Sequence, residues 1–132
     1  MASHVERVRE GYEAFNRGDL DGFLDFLAPD VEWLEPSEGA QGDVHNGREE
    51  VRRFIQLGLE AWGEYRAEPE QILEAGADRV LVLVHARARG RASGLEMEAP
   101  VAHLITLLEG RVTRLEMFAE RSEALAAAGL GP

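Results

Sequence analysis

The chain has 132 residues, of which 45% are hydrophobic, and this is enough for one hydrophobic core, so we expect a single domain over residues 1–132. The 14 basic and 25 acidic residues give a formal net charge of -11, which repels phosphate backbones and anionic lipid surfaces and argues against nucleic acid or membrane partners. Cysteine is absent, which excludes disulfides, thiolate nucleophiles and cysteine-bound metals.

Two helices are predicted at the N-terminus. Ser3 and Glu6 form a capping-box signal, and apolar residues then recur at helical spacing, which predicts a first helix over residues 3–17. Asp19 is a candidate N-cap for a second, short helix that we expect Pro29 to end. This region has no signal-peptide pattern, and no stretch of the chain approaches the ~20 apolar residues of a membrane helix. We therefore expect a cytoplasmic protein.

A strand, a loop and a third helix are predicted next. Residues 31–35 read as a strand in which period two places Trp33 and Glu35 on the same face. A segment rich in turn formers follows, PSEGAQGDVHNG, and predicts a loop. Asn46 is the candidate N-cap of the third helix, and Gly63 is placed to stop it.

Beyond the third helix the hydrophobic period changes from helical to two. Four strands joined by short turns are predicted over residues 65–74, 79–89, 95–108 and 111–119. A short final helix is predicted over residues 121–128. Consecutive strands with short links form an antiparallel meander. The order ααβαββββ(α) therefore predicts an α+β fold in which a curved mixed or antiparallel sheet wraps around the N-terminal helices.

Three phrases of the sequence resemble one known family. They are FNRGDLDGFLDFLAPDVEW, NGREEVRRF and EGRVTRLEMFAERSEALAAAGL, and together with the element order they are similar to the SnoaL-like branch of the NTF2-like superfamily. The resemblance covers essentially the whole chain. It implies a cone-shaped domain with a pocket between helices and sheet, and a homodimer packed through the outer sheet face. The fold carries many unrelated activities, so the resemblance is weak evidence for function.

Glu35 is the first candidate for chemistry. It shares a strand face with Trp33, and apolar surroundings there would raise the pKa of its carboxyl towards values useful to a general base. The resemblance adds that Glu35-Pro36 falls where ketosteroid isomerase has the Asp-Pro pair whose carboxylate moves a proton next to a carbonyl. The alternative is that a Glu at the end of a strand turns into solvent.

His103 is the second candidate. Period two over residues 97–105 gives one face that is apolar apart from His103. The resemblance places His103 where ketosteroid isomerase keeps the protonated acid of its oxyanion hole, so an imidazole would donate the same hydrogen bond. The alternative is a buried histidine whose hydrogen bonds serve only the core. His85 shares its strand face with Arg87 and Arg89, which predicts the polar or dimer face instead.

The resemblance to ketosteroid isomerase fails on helix one. The tyrosine that supplies its principal oxyanion donor corresponds here to Gly11, and Tyr12 is one residue away. One residue rotates a helical side chain by about 100 degrees, so Tyr12 would serve only if the helix register differed by one. This weakens the isomerase interpretation.

The pocket is predicted to be mostly apolar. Its predicted lining comprises Tyr12, Phe15, Trp33, Phe54, Met97, Val101, Leu115 and Met117. Trp33 is singled out because it shares a face with Glu35 and could stack on a planar ligand. On the last strand Ala119 shares the face of Leu115 and Met117. The four histidines lie far apart in the sequence with no metal-binding spacing, so we expect no metal and no other cofactor.

Three functional hypotheses follow. The first is a SnoaL-like domain that binds a small, largely apolar molecule oriented by Glu35 and His103. The second is an isomerase, cyclase or dehydratase in which Glu35 abstracts a proton next to a carbonyl while His103 donates to the developing oxyanion. The third is a non-catalytic dimerisation or regulatory module whose pocket is filled by side chains.

Overall fold

The computed structural model describes residues 3–35 and 44–130. Its elements in chain order are α1 (His4–Asn16), α2 (Leu20–Leu24), β1 (Leu27–Leu34), β2 (Val44–Asn46), α3 (Arg48–Ala61), β3 (Trp62–Glu74), β4 (Arg79–Gly90), β5 (Glu96–Leu108), β6 (Arg111–Phe118) and α4 (Arg121–Ala127). The predicted α+β class and the order of helices and strands are confirmed, apart from the additional short strand β2. Within the described ranges no helix is both long and apolar enough to cross a bilayer.

Helix α1 begins and ends where the sequence predicts. The Ser3 hydroxyl accepts a hydrogen bond from the backbone N–H of Glu6 at 3.1 Å, as a capping residue should. At the C-terminal end the Asn16 side chain bonds both backbone groups of Ala67 in β3, accepting from its N–H and donating to its C=O at 2.9 Å each. This paired contact fixes the end of α1 against the sheet.

Helix α2 is shorter than predicted. Asp19 caps it by accepting from the Gly22 N–H at 2.9 Å, but the helix ends at Leu24 and β1 begins at Leu27. The sequence suggested that Pro29 ends a helix, whereas Pro29 lies inside β1. It is tolerated because the ladder between β1 and β6 is irregular between Leu27 and Glu32, where a missing N–H breaks no regular pairing.

The start of helix α3 differs from the prediction. The N-cap is Gly47, whose φ of 92° lies in the region that favours glycine, and it makes no side-chain capping bond. Asn46 is instead the last residue of β2, and its N–H donates to the Glu50 carboxylate at 2.6 Å. The predicted loop thus contains a strand, which had no hydrophobic signal because only three residues form it.

The end of helix α3 also differs. Gly63 does not stop the helix, since α3 ends at Ala61 and β3 starts immediately at Trp62. Arg91, from the turn after β4, donates to the backbone carbonyls of Leu59 and Glu60 at 3.1 and 3.2 Å and so satisfies the end of the helix. A side chain distant in sequence therefore performs the role that was assigned to glycine.

One six-stranded sheet has the order β2-β1-β6-β5-β4-β3. The predicted antiparallel meander is β3 to β6, while β1 lies parallel to β6 and makes the sheet mixed. Helices α1 and α3 pack on the inner face of the sheet, over a core that includes Val31, Val51, Val80, Val82 and Ile105. This inner face carries the candidate site.

The outer face has a small apolar part and a charged part. Helix α4 covers the apolar part, where Ala124 packs with Leu81, Ala102 and Leu104. On the charged part, Glu98 accepts from Arg87 at 2.9 Å and lies 3.2 Å from the His85 ring. His85 therefore lies on the polar face that period two predicted, away from the cavity.

Candidate functional site

A cavity of about 230 Å³ lies between the helices and the inner face of the sheet. Its walls come from α1, α2, α3 and strands β1, β3, β5 and β6, and most of them are aromatic or aliphatic. Of the residues predicted for the site, those that line it are Tyr12, Phe15, Trp33, Glu35, Phe54, His103, Leu115 and Met117. The two polar candidates therefore open into one cavity.

Three residues predicted for the pocket lie outside it. Met97 is 53% exposed near the start of β5, Val101 packs against the core without lining the cavity, and Ala119 is exposed after the end of β6. Period two identified the correct face of β5, since His103 and Ile105 do line the cavity. It does not say how far along the strand the helices cover that face.

Tyr12 and His103 form a hydrogen-bonded pair in the cavity wall. The Tyr12 hydroxyl oxygen lies 2.5 Å from His103 Nδ1, and the two rings are nearly parallel with centroids 5.8 Å apart. Both residues are only 8% exposed. Tyr12 was predicted to line the pocket, and the comparison with ketosteroid isomerase allowed it as an oxyanion donor only if the helix register differed by one. In the structure the Tyr12 hydroxyl on helix α1 does reach His103 in the cavity wall.

Burial keeps both members of the pair uncharged at neutral pH. It lowers the pKa of His103 to about 4, and together with the neighbouring Tyr65 it raises the pKa of Tyr12 well above 10. The neutral pair has two protons on polar atoms, and one of them lies in the mutual hydrogen bond. The other, on the hydroxyl or on Nε2 depending on the tautomer, is left to donate to a ligand.

Glu35 lies on the same row of the sheet as His103. Leu34 pairs with Glu116, so Glu35 follows beside Met117, and Met117 pairs with His103. One strand thus separates the two polar residues, which places their backbones about 10 Å apart at the usual strand spacing. Glu35 is partly buried, and its negative charge adds to the effect of burial in raising the pKa of Tyr65.

Several other residues of the cavity wall were not among the predicted lining residues. Tyr65 and Trp62 belong to β3, and both line the cavity. Arg7 also contributes to the wall: its guanidinium lies 4.2 Å from the centre of the Phe26 ring, and its Nε donates to the Gly110 carbonyl at 2.9 Å. The hydrophobic pattern of the helix did not predict Arg7 in the cavity wall, because charged residues on a helix usually face solvent.

No metal centre is assembled in the part of the chain that the structure describes. Groups of three or more histidine, aspartate or glutamate side chains close enough to share an ion do not occur there. The polar groups on the cavity-lining side chains are a carboxylate, two phenols, an imidazole, two indoles and a guanidinium.

Comparison with known proteins places the chain in a family. The model of the SnoaL-like domain matches residues 8–115. An uncharacterised protein of Mycobacterium tuberculosis is 31% identical over 115 residues, which is 86% of each chain. Two solved structures are similar over nearly their whole length.

The first of these is an NTF2-like protein of unknown function from Burkholderia pseudomallei, with a TM-score of 0.79 and 31% identity over 96% of this chain and 97% of the other. The second is a proposed polyketide cyclase from Xanthomonas campestris pv. campestris, with a TM-score of 0.73 and 26% identity over 96% and 99%. The family model matches most of the chain, and the chain shares its fold with NTF2-like structures. The chain therefore belongs to the SnoaL-like domain family.

Proposed function

We propose that the chain binds a small, largely apolar molecule in the cavity and holds one oxygen of it on the Tyr12–His103 pair. The observation that carries the proposal is a pair that keeps one donor proton for a ligand inside a mostly apolar wall. A cavity of ~150 Å³ suffices for benzene, so the larger cavity here suits a molecule of about one to two fused rings. Apolar contacts would supply most of the affinity, and the hydrogen bond would set the orientation.

The proposal predicts a preference for an oxygen-bearing ligand over a hydrocarbon of the same shape. Calorimetric titration with 2-naphthol and naphthalene is expected to favour the naphthol by about 3- to 10-fold, the worth of one neutral hydrogen bond. The double variant Tyr12→Phe, His103→Leu removes both partners together and is expected to lose this preference while staying folded.

His85→Gln is the matched control, because His85 lies on the outer face and does not line the cavity. It is expected to keep the wild-type preference. Equal affinities of the wild type for both compounds would contradict the role given to the pair, and failure of every planar ligand to bind would contradict the proposal itself.

A second candidate function is proton transfer next to a carbonyl, and the presence of Glu35 in the same cavity supports it. In such a reaction the Glu35 carboxylate removes a proton from the carbon next to the carbonyl, and the electron pair moves to the oxygen to give an enolate. The Tyr12–His103 donor stabilises that charge, and Glu35 returns the proton to carbon. The third hypothesis, a filled pocket, receives no support from the described side chains, which leave the cavity open.

We also propose that the chain forms a homodimer through the outer sheet face. Support comes from the charged part of that face, where the basic residues Arg87 and Arg89 of β4 lie opposite the acidic residues Glu98 and Glu96 of β5. A patch with both signs is self-complementary under twofold symmetry. Sedimentation equilibrium is expected to give twice the 14.6 kDa chain mass, and Arg87→Glu to shift the protein towards monomer. A monomeric wild type would refute this interface.

A further inference from the structure

Trp33 carries a buried hydrogen-bond donor that the protein does not use. The side chain is only 7% exposed and lines the cavity, and its indole N–H has no hydrogen-bond partner among the residues that the structure describes. Leaving a buried donor unpaired costs about 1–3 kcal/mol, so such groups are rare in folded proteins. Their presence in a cavity wall indicates that a partner arrives from outside the chain.

The surroundings of the indole are aromatic. The Phe23 ring meets Trp33 edge-on, with centroids 6.1 Å apart. His45, the partner of Trp33 across β1 and β2, stacks on Phe54 with centroids 4.4 Å apart. The Nε2 atom of His45 is also buried without a partner in the described part of the chain. Ring packing, with no hydrogen bond, therefore fixes the position of the indole.

The indole lies apart from the Tyr12–His103 pair. Trp33 pairs with Leu115, Leu115 pairs with Ile105, and His103 is two residues from Ile105 along β5. The backbones of Trp33 and His103 are two strand spacings apart across the sheet and two residues apart along it. This gives a separation of about 12 Å. Trp33 and the Tyr12–His103 pair thus contribute to a mostly apolar cavity wall at separate points.

We propose that Trp33 is a specificity-determining residue whose indole N–H donates to a second oxygen of the ligand. This inference rests on the proposed binding function and narrows its ligand class. The ligand is a planar ring system with acceptor oxygens at two opposite edges, one held by the Tyr12–His103 pair and the other by Trp33. A ligand with one oxygen leaves one of the two donors unpaired, and a hydrocarbon leaves both unpaired.

The two tryptophans of the chain allow a direct test by NMR of the indole N–H groups. The variant Trp62→Phe leaves one indole signal and so assigns Trp33. On addition of 2,6-dihydroxynaphthalene the Trp33 proton is expected to move downfield as its hydrogen bond forms, and it is expected to move much less with 2-naphthol or naphthalene. This measurement uses the wild-type side chain at position 33, so it holds even if variants at that position fold poorly.

Affinity provides the second readout. Trp33→Phe is expected to reduce the advantage of the dihydroxy ligand over 2-naphthol by about 3- to 10-fold, the value of one hydrogen bond. His85→Gln changes a side chain on the outer face that does not line the cavity, so it is the matched control and is expected to leave that advantage unchanged.

Three results would overturn the inference, and they are distinguishable. Binding with no change in the Trp33 signal and no loss of preference in Trp33→Phe would reject the role of Trp33 and leave the proposed function standing. A scalar coupling across a hydrogen bond from the Trp33 indole N–H to His45 Nε2 in the free protein would show that His45 already accepts the bond. Absence of binding by all three naphthalenes would reject the proposed function and the inference together.

Discussion

Glu35→Gln is expected to slow hydrogen–deuterium exchange next to the carbonyl of a bound planar ketone by about 10²- to 10⁴-fold, the usual contribution of a positioned general base. Glutamine keeps the shape of the side chain and its contact with the cavity but cannot accept a proton. The measurement is the rate at which 2-tetralone gains deuterium in the presence of the protein, followed by mass spectrometry and corrected for exchange in buffer alone.

Glu32→Gln is the matched control for this prediction. Glu32 is exposed on β1, three residues before Glu35, so its substitution removes one carboxylate of the chain without touching the cavity. Glu32→Gln is expected to exchange at the wild-type rate, and Glu35→Gln to bind an unreactive ketone within a few-fold of the wild type. Exchange that Glu35→Gln leaves unaffected would exclude Glu35 as the base, and a wild type no faster than buffer would leave only the binding function.

Much of the fold could be predicted because local signals agreed with the final packing. The Ser3 cap, the helical spacing of α1 and the period of two from β3 to β6 all reappear in the structure. The predictions failed where distant contacts decide local structure. Pro29 lies in a strand because the ladder with β6 is irregular there, and α3 ends where Arg91 reaches its carbonyls.

The site was predictable in part for the same reason. Period two placed Glu35 and His103 on the inner face from their strand positions alone, and both line the cavity. The contact between Tyr12 and His103 was missed because it depends on the rotation of α1 relative to the sheet, which no local pattern encodes. Met97 was misplaced because period two gives the face of a residue but not the extent of helix that covers it.

Acid is expected to destabilise the protein through His103. Burial lowers its pKa from 6.5 to about 4, so between these values the unfolded chain binds a proton that the folded chain does not. The contribution of the neutral His103 to the free energy of unfolding is complete above about pH 6.5, declines as the pH falls towards 4, and is lost below pH 4. From about pH 7.5 to about pH 5 this group alone is expected to lower the free energy of unfolding by about 2 kcal/mol.

Urea unfolding at the two pH values measures this loss, and two variants isolate it. The double variant Tyr12→Phe, His103→Leu lacks the titrating imidazole and leaves no buried hydroxyl unpaired. Between the two pH values its free energy of unfolding is therefore expected to fall by about 2 kcal/mol less than that of the wild type. His85→Gln removes a histidine that is 40% exposed on the outer face and is expected to behave as the wild type. If the double variant loses as much stability as the wild type, His103 is not buried as a neutral imidazole, and the uncharged donor assigned to the cavity has no basis.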